Sequence, residues 1–339
     1  MNIEKSLLDR NQSTWLKGLL ILLIILGHNS ILMGNLPGMR TTVLYDFLYC
    51  FHVSAFFFIT SLYNWPNLSK EYIKKIFLRL YKPYTIMFVL VFLANLLFIK
   101  KVDTNWGGVI ISYLSGSDFL IKKSIGMSFV WFLPTMFSFL LILGSCRNES
   151  LKYLRFLLLA LSIGLLVLSS CGFFKYEDSK WSISGSWVAL RTFAICFFNR
   201  WVFEKFGERK LYQYIVYSGA IIVTTVFFFM YGQYRILDRS LTYVLVPSFM
   251  FQFLAVLVYQ KKHYSGALLY LGRHSLQIYL FHQLIYNAIL IGLNALLITP
   301  NMMIGVLTYI STLVMTIIFD ILFRKSLPAI YNFMYSRNA

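Results

Sequence analysis

Lys17 and His28 stand eleven residues apart, and the run between and beyond them, GLLILLIILGHNSILM from residue 18 to 33, is otherwise apolar. Eleven residues is close to three helical turns. Both side chains therefore share nearly one face of a helix, about 16 Å apart along its axis. Two ionisable groups on one stripe of a membrane helix are costly to keep and mark a functional site by default. A neutral imidazole accepts a proton, which is what a general base must do. The structural alternative for His28 is a polar residue that holds helices together. For Lys17 it is an ordinary snorkelling lysine at the membrane boundary, and only its phase relation to His28 raises it above that.

Other residues could join them. His52 stands in FHVSAFFFITS and His282 in SLQIYLFHQ, each either a packing hydrogen-bonder or part of a site. His263 and His274 fall at a loop and a span end and read as solvated or capping. No two of these histidines have the i, i+3 or i, i+4 spacing of metal ligands, so no metal is expected. Arg191, in WVALRTFAICFFNRW, needs a partner or an anionic ligand inside a membrane. Asp46 is one candidate partner, its alternative role being a helix-start acid. Asp320 and Arg324 are i, i+4 and read as a surface pair. The segment KEYIKKIFLRLYKPY is the most basic in the chain. Either it marks a cytoplasmic loop, or Arg79 and Lys82, which share a helix face, clamp a phosphate. Trp131, in SFVWFLPTMF, suits an interfacial aromatic belt.

The elements that position these residues are membrane spans. Of the 339 residues 58% are hydrophobic and only 13% charged, about half the charge of a soluble domain, and mean hydropathy is +0.68. The apolar segments run near 20 residues, which suits helices rather than alternating barrel strands. We read an all-α, polytopic membrane bundle of about ten transmembrane helices, near 15–34, 43–63, 83–99, 128–146, 153–172, 185–203, 211–231, 240–259, 267–296 and 302–323. The ninth is long enough to include an interfacial turn at its start. The longest connections, near 64–82 and 100–127, leave no room for a soluble domain, so residues 1–339 read as a single integral-membrane domain. The first span is too long for a signal-peptide core and lacks a small-residue cleavage site, so it is read as retained.

The net charge of +18 would suggest nucleic acid in a soluble protein. Here it follows the positive-inside rule. With both termini cytoplasmic, the inner segments hold Lys5, Arg10 and Lys17, the cluster Lys70, Lys74, Lys75, Arg79 and Lys82, then Arg147, Lys152 and Arg155, Lys205, Arg209 and Lys210, Lys261 and Lys262, and Arg324, Lys325 and Arg337. The outer ones hold a sparser set that includes Arg40, Lys122, Lys123, Lys175 and Lys180. In this orientation Lys17 is near the cytoplasm and His28 deeper, toward the outer leaflet. Cys50, Cys146, Cys171 and Cys196 are scattered with no ligand spacing and imply no disulfide framework.

Together these residues resemble the acyltransferase-3 family, integral-membrane enzymes that O-acylate bacterial surface sugars. Five marks carry the resemblance, in order along most of the chain. They are Lys17 and His28 as the basic residue, ten residues, then His; FHVSAFFFITS; Arg79 and Lys82 before Pro83 and Tyr84; Trp131, Phe132 and Leu133; and LGRHSLQIYLFH ending at His282. The chain departs at Thr14, where an acid is common, at Ser61, where glycine is usual, and at Asn199 and Arg200, where the family often has a glycine.

The resemblance implies a cytoplasmic acyl-CoA donor, usually acetyl-CoA, and no permanently bound cofactor. It implies a glycan or lipid-linked glycan as acceptor, with membrane lipid around the protein, no nucleic acid, and a bacterial cytoplasmic membrane as location. His28 would remove the proton from the attacking hydroxyl or relay the acyl group covalently. Lys17 would anchor the donor or stabilise charge at the thioester oxygen. Arg79 and Lys82 would bind the CoA phosphates. His52, Arg191, His282 and Trp131 would support or bind the acceptor. The alternative is a membrane transporter of acyl or glycan units, which repeated halves and broken helices would favour; the sequence displays neither.

Overall fold

The apolar run that opens the chain folds as two helices, not one. In the computed structural model, residues 6–34, 43–63, 65–99, 105–127, 129–147, 151–170, 184–231, 239–261 and 263–335 are described. Lys5, Arg40, Cys171, Lys175, Lys180, Lys262 and Arg337 lie outside the described residues. In chain order the helices are α1 (Arg10–His28), α2 (Ser30–Gly34), α3 (Val43–Phe51), α4 (Ser54–Tyr63), α5 (Lys70–Ala94), α6 (Trp106–Ser115), α7 (Asp118–Ile125) and α8 (Phe132–Arg147). There follow α9 (Lys152–Ser170), α10 (Gly185–Phe206), α11 (Lys210–Val226), α12 (Arg239–Tyr259), α13 (Gly266–Arg273), α14 (Ser275–Ala295), α15 (Met302–Ser326) and α16 (Pro328–Tyr335). The described residues contain no strand.

Among the described residues six stretches are long and apolar enough to cross a membrane by themselves: Val43–Tyr63, Lys70–Leu97, Phe129–Arg147, Lys210–Phe229, Ser275–Ala295 and Met302–Ser326. The chain is an all-α, multi-pass membrane protein. The other apolar segments of the sequence coincide with α1, α9, α10 and α12, which are shorter or carry polar residues within them. The connection expected over 100–127 contains α6 and α7, joined at Gly116, whose φ of +61° is the left-handed turn that glycine adopts without strain.

The chain divides into two compact units, residues 1–64 with 195–322, and residues 65–194 with 323–339. In the first, α1 starts at a capping box: Asp9 Oδ1 accepts the Gln12 amide and Gln12 Oε1 accepts the Asp9 amide, both at 2.8 Å. α1 and α13 approach almost backbone to backbone. A Cβ on Gly18 would lie 2.0 Å from the Leu268 carbonyl oxygen, and one on Gly272 would lie 1.8 Å from that of Thr14. Small residues permit such contacts where helices pack in lipid. α15 is inside-out by soluble standards. Gly305, Thr308, Thr312, Thr316 and Asp320 are buried, one per turn, while Met303, Leu307, Ile310, Val314 and Leu322 are exposed. That pattern fits a lipid-facing outer stripe.

In the second unit α5 runs antiparallel to α8. Phe77 and Tyr81 pack on Phe137, Leu68 packs on Gly144, and the Arg147 guanidinium donates to the Trp65 carbonyl at 2.7 Å.

Candidate active site

The first helix breaks one residue after His28. Asn29 leaves the helical region, with φ −81° and ψ 89°. Its side chain then supplies the partners that a break in a membrane helix demands. Its carbonyl oxygen accepts the Leu32 amide at 2.9 Å, and its amide donates to the Gly305 carbonyl at 2.9 Å and to the Thr308 hydroxyl at 3.0 Å. Asn29 thus caps α2 and ties the break to α15. α14 supports the other side. The Tyr286 hydroxyl accepts the Ile31 amide at 3.2 Å and lies 2.9 Å from the Ser30 hydroxyl.

The second apolar segment is broken too, at His52 and Val53 between α3 and α4. His28 ends α1 and His52 follows α3, so each imidazole is held at a helix C-terminus. Neither break contains glycine or proline. The sequence offers no punctuation at either place beyond the polar residues themselves.

The two breaks bring three histidines together. His28 Nδ1 lies 2.7 Å from His282 Nε2, with the ring planes within 14° of each other and the centres 5.0 Å apart, so the two rings meet edge to edge through these nitrogens. His282 Nδ1 faces the Tyr279 carbonyl at 2.7 Å and the Ile278 carbonyl at 3.2 Å. Carbonyls only accept, so Nδ1 of His282 carries its proton. In the neutral ring its Nε2 is then bare and accepts from His28 Nδ1–H. That leaves His28 Nε2 as the unprotonated nitrogen of its ring. Tyr49 stands edge-on to both neighbours, 6.1 Å from His28 and 4.8 Å from His52. Lys17 is half-buried, its ammonium 6.0 Å from the centre of the Tyr63 ring at the end of α4. Lys17 and His28 therefore both face the second broken segment, as their spacing on one helix stripe predicts.

Arg79, Lys82, Trp131 and Arg191 belong to the second unit. Arg79 is exposed on α5, and the Lys82 ammonium lies 4.1 Å from the centre of the Phe333 ring on α16. Lys74, Lys75 and Arg79 are exposed on α5, and Lys75 and Arg79 lie on the side away from Phe77 and Tyr81, which pack on α8. Trp131 is half-buried in the turn before α8, edge-on to Phe132. Arg191 is half-buried on α10.

Two expectations are corrected. Asp320 is not in a surface pair with Arg324. It is buried, and its carboxylate lies 3.0 Å from His274 Nδ1, while Arg324 is exposed. His274 is accordingly neither solvated nor a simple cap. It joins the α13–α14 junction to α15 and stacks on Tyr270 at 4.5 Å.

The unusual Asn199 and Arg200 also have defined partners. Gln252 on α12 donates to Asn199 Oδ1 at 2.8 Å and accepts the Tyr212 hydroxyl at 2.6 Å, and Asn199 donates to the Ser248 hydroxyl at 3.2 Å. Arg200 is fully buried and donates to the Ser61 carbonyl in α4. Among the described residues no three His, Cys, Asp or Glu gather as metal ligands.

The profile of the acyltransferase-3 family, described as an acyltransferase domain, matches residues 10–323, nearly the whole chain. No curated protein and no solved structure matches it.

Proposed function

The chain belongs to the acyltransferase-3 family, and from that premise we propose that it moves an acyl group, acetyl in the first instance, from cytoplasmic acyl-CoA to a hydroxyl of a bacterial surface-polysaccharide sugar. His28 is the general base. The observation that carries this reading is the histidine couple. His282 holds His28 in the tautomer whose Nε2 accepts, 2.7 Å away through His28 Nδ1.

The acceptor hydroxyl gives its proton to His28 Nε2 as its oxygen attacks the thioester carbonyl carbon. The C–S bond breaks, sulfur leaves as CoA thiolate, and the proton passes from His28 to it. The products are the sugar ester and CoA thiol. The imidazolium formed on the way is stabilised by the His282 lone pair and by the carbonyl end of α1. His282 is thus a positioning residue, in the role a carboxylate plays for the histidine of a hydrolase triad. Lys17, about 16 Å from His28 along α1, anchors the donor.

Arg79 and Lys82 take the CoA phosphates. Lys74, Lys75 and Arg79 are exposed on α5, which suits a polyanion approaching from the cytoplasmic side. Arg191 and Trp131 support the acceptor. The enzyme works in the bacterial cytoplasmic membrane, on a glycan or lipid-linked glycan, with no permanently bound cofactor.

The test is to delete the gene and weigh the surface glycan. One acyl mass should disappear, and complementation with His28→Ala should leave it absent while the protein still accumulates. Restoration of the mark by His28→Ala would remove that residue from the mechanism.

A further inference from the structure

The site contains a second imidazole whose lone pair the reaction above does not use. His52 is fully buried, and its Nδ1 lies on the Leu48 carbonyl, which only accepts. Nδ1 therefore carries the proton and Nε2 is bare. That Nε2 has no hydrogen-bond partner among the described residues. A buried acceptor left unpaired is a standing cost, tolerated where a ligand relieves it.

The space in front of it is defined by Gly27, the residue before His28. A Cβ built on Gly27 would meet the Tyr49 ring at 3.4 Å and His52 Nε2 at 3.9 Å, with no nearer atom. A methyl side chain at position 27 would therefore stand directly in front of the bare nitrogen without displacing either ring, whereas glycine leaves the approach to it open.

A ligand group that reaches this nitrogen must donate a hydrogen bond. The acyl thioester offers only acceptors at its reacting end, and a protonated amine would bring a charge that burial penalises. A neutral hydroxyl satisfies both conditions, and of the two substrates only the acceptor sugar carries one there.

We propose that His52 Nε2 accepts a hydrogen bond from the hydroxyl adjacent to the one that His28 deprotonates, so that the enzyme selects a vicinal diol over an isolated alcohol. This rests on the reading of His28 as the base and names the acceptor class for that site. Two bare imidazole nitrogens, on rings that share Tyr49 as an edge-on neighbour, then receive the two hydroxyl protons of one diol.

Periodate cleaves vicinal diols and spares them when one hydroxyl is esterified, which makes the proposal testable without knowing the sugar. Surface glycan from the parent strain and from a strain lacking the gene is treated with periodate and analysed by mass. The sugar that loses its acyl mass in the deletion strain should also consume more periodate per residue there. An acyl mass lost with no change in periodate consumption would put the mark on an isolated hydroxyl and overturn the diol proposal, while leaving His28 as base untouched. A mark restored by His28→Ala would overturn the reading beneath both.

Two variants of the full-length purified protein, assayed with acetyl-CoA and the de-acylated glycan of the deletion strain, test the seat itself. Gly27→Ala fits without a contact below 3.4 Å. It should fold and accumulate normally yet raise the acceptor KM about tenfold or more, with the acetyl-CoA KM unchanged. His52→Phe should do the same, and His52→Gln, which keeps an acceptor atom, should recover part of the loss. An unchanged acceptor KM in Gly27→Ala would overturn the proposal, as would an equal loss of affinity for both substrates.

Discussion

Asn29 donates to the carbonyl of Gly305 and caps the helix that restarts after His28, so one side chain both ends α1 and fixes where its last imidazole points. The break is built by α15, far away in sequence, rather than by the residues around it. Replacing Asn29 with alanine should leave the Gly305 carbonyl and the Leu32 amide without these partners. The expected cost is about 1–3 kcal/mol, seen as a lower melting temperature in detergent. Asn29→Asp should cost less at the cap, because it still accepts from Leu32, but should lose the Gly305 bond. Equal melting temperatures for wild type and Asn29→Ala would show that the break does not depend on this residue.

Lys17 carries charge to the other end of the same stripe. Lys17→Arg keeps that charge and should lower acyl transfer less than Lys17→Ala does, in assays with acetyl-CoA as donor. Equal losses in the two variants would argue against an electrostatic role and return Lys17 to an ordinary boundary lysine.

Gly272 seats α13 on the backbone of α1. A Cβ there would stand 1.8 Å from the Thr14 carbonyl oxygen, which neither backbone can yield cheaply. Gly272→Ala should therefore lower stability by about 1–3 kcal/mol or more, with reduced yield from membranes. Gly164→Ala is the control, since nothing lies within 4 Å of its added Cβ. Matching thermal stability in the two variants would mean that α1 and α13 are free to separate.

His274 and Asp320 form a buried contact at 3.0 Å between the α13–α14 junction and α15. Removing either partner leaves the other without it, at about 1–3 kcal/mol. The single variants Asp320→Ala and His274→Ala should each destabilise, and the double variant should cost clearly less than their sum. Strict additivity would show that the two residues do not act as a pair.

The types of the candidate site residues were legible in the sequence. His28, His52 and His282 stand out because ionisable side chains in apolar runs are rare, and the stripe shared by Lys17 and His28 follows from helical geometry alone. Their grouping was not legible. No local spacing links His28 to His282, because their contact is made by the packing of α1 against α14.

The breaks at Asn29 and His52 were hidden for a related reason. The apolar runs continue straight through them, and the bonds that make the first break tolerable come from Gly305, Thr308 and Tyr286. The same local bias misassigned Asp320. Its i, i+4 neighbour Arg324 is visible in the sequence, whereas His274 on another helix is not. Asn199, a departure from the family pattern, became intelligible only through Gln252 and Tyr212.

The central claim is that His282 acts through His28, and a double-variant cycle on acyl transfer tests it most directly. His28→Ala should lower kcat about 10²–10⁴-fold, the usual contribution of a general base. His282→Ala should also lower it, because the base loses its fixed tautomer. Added to His28→Ala, the His282→Ala substitution should then slow the enzyme no further. Full multiplicative losses in the double variant would contradict the account and make the two histidines independent.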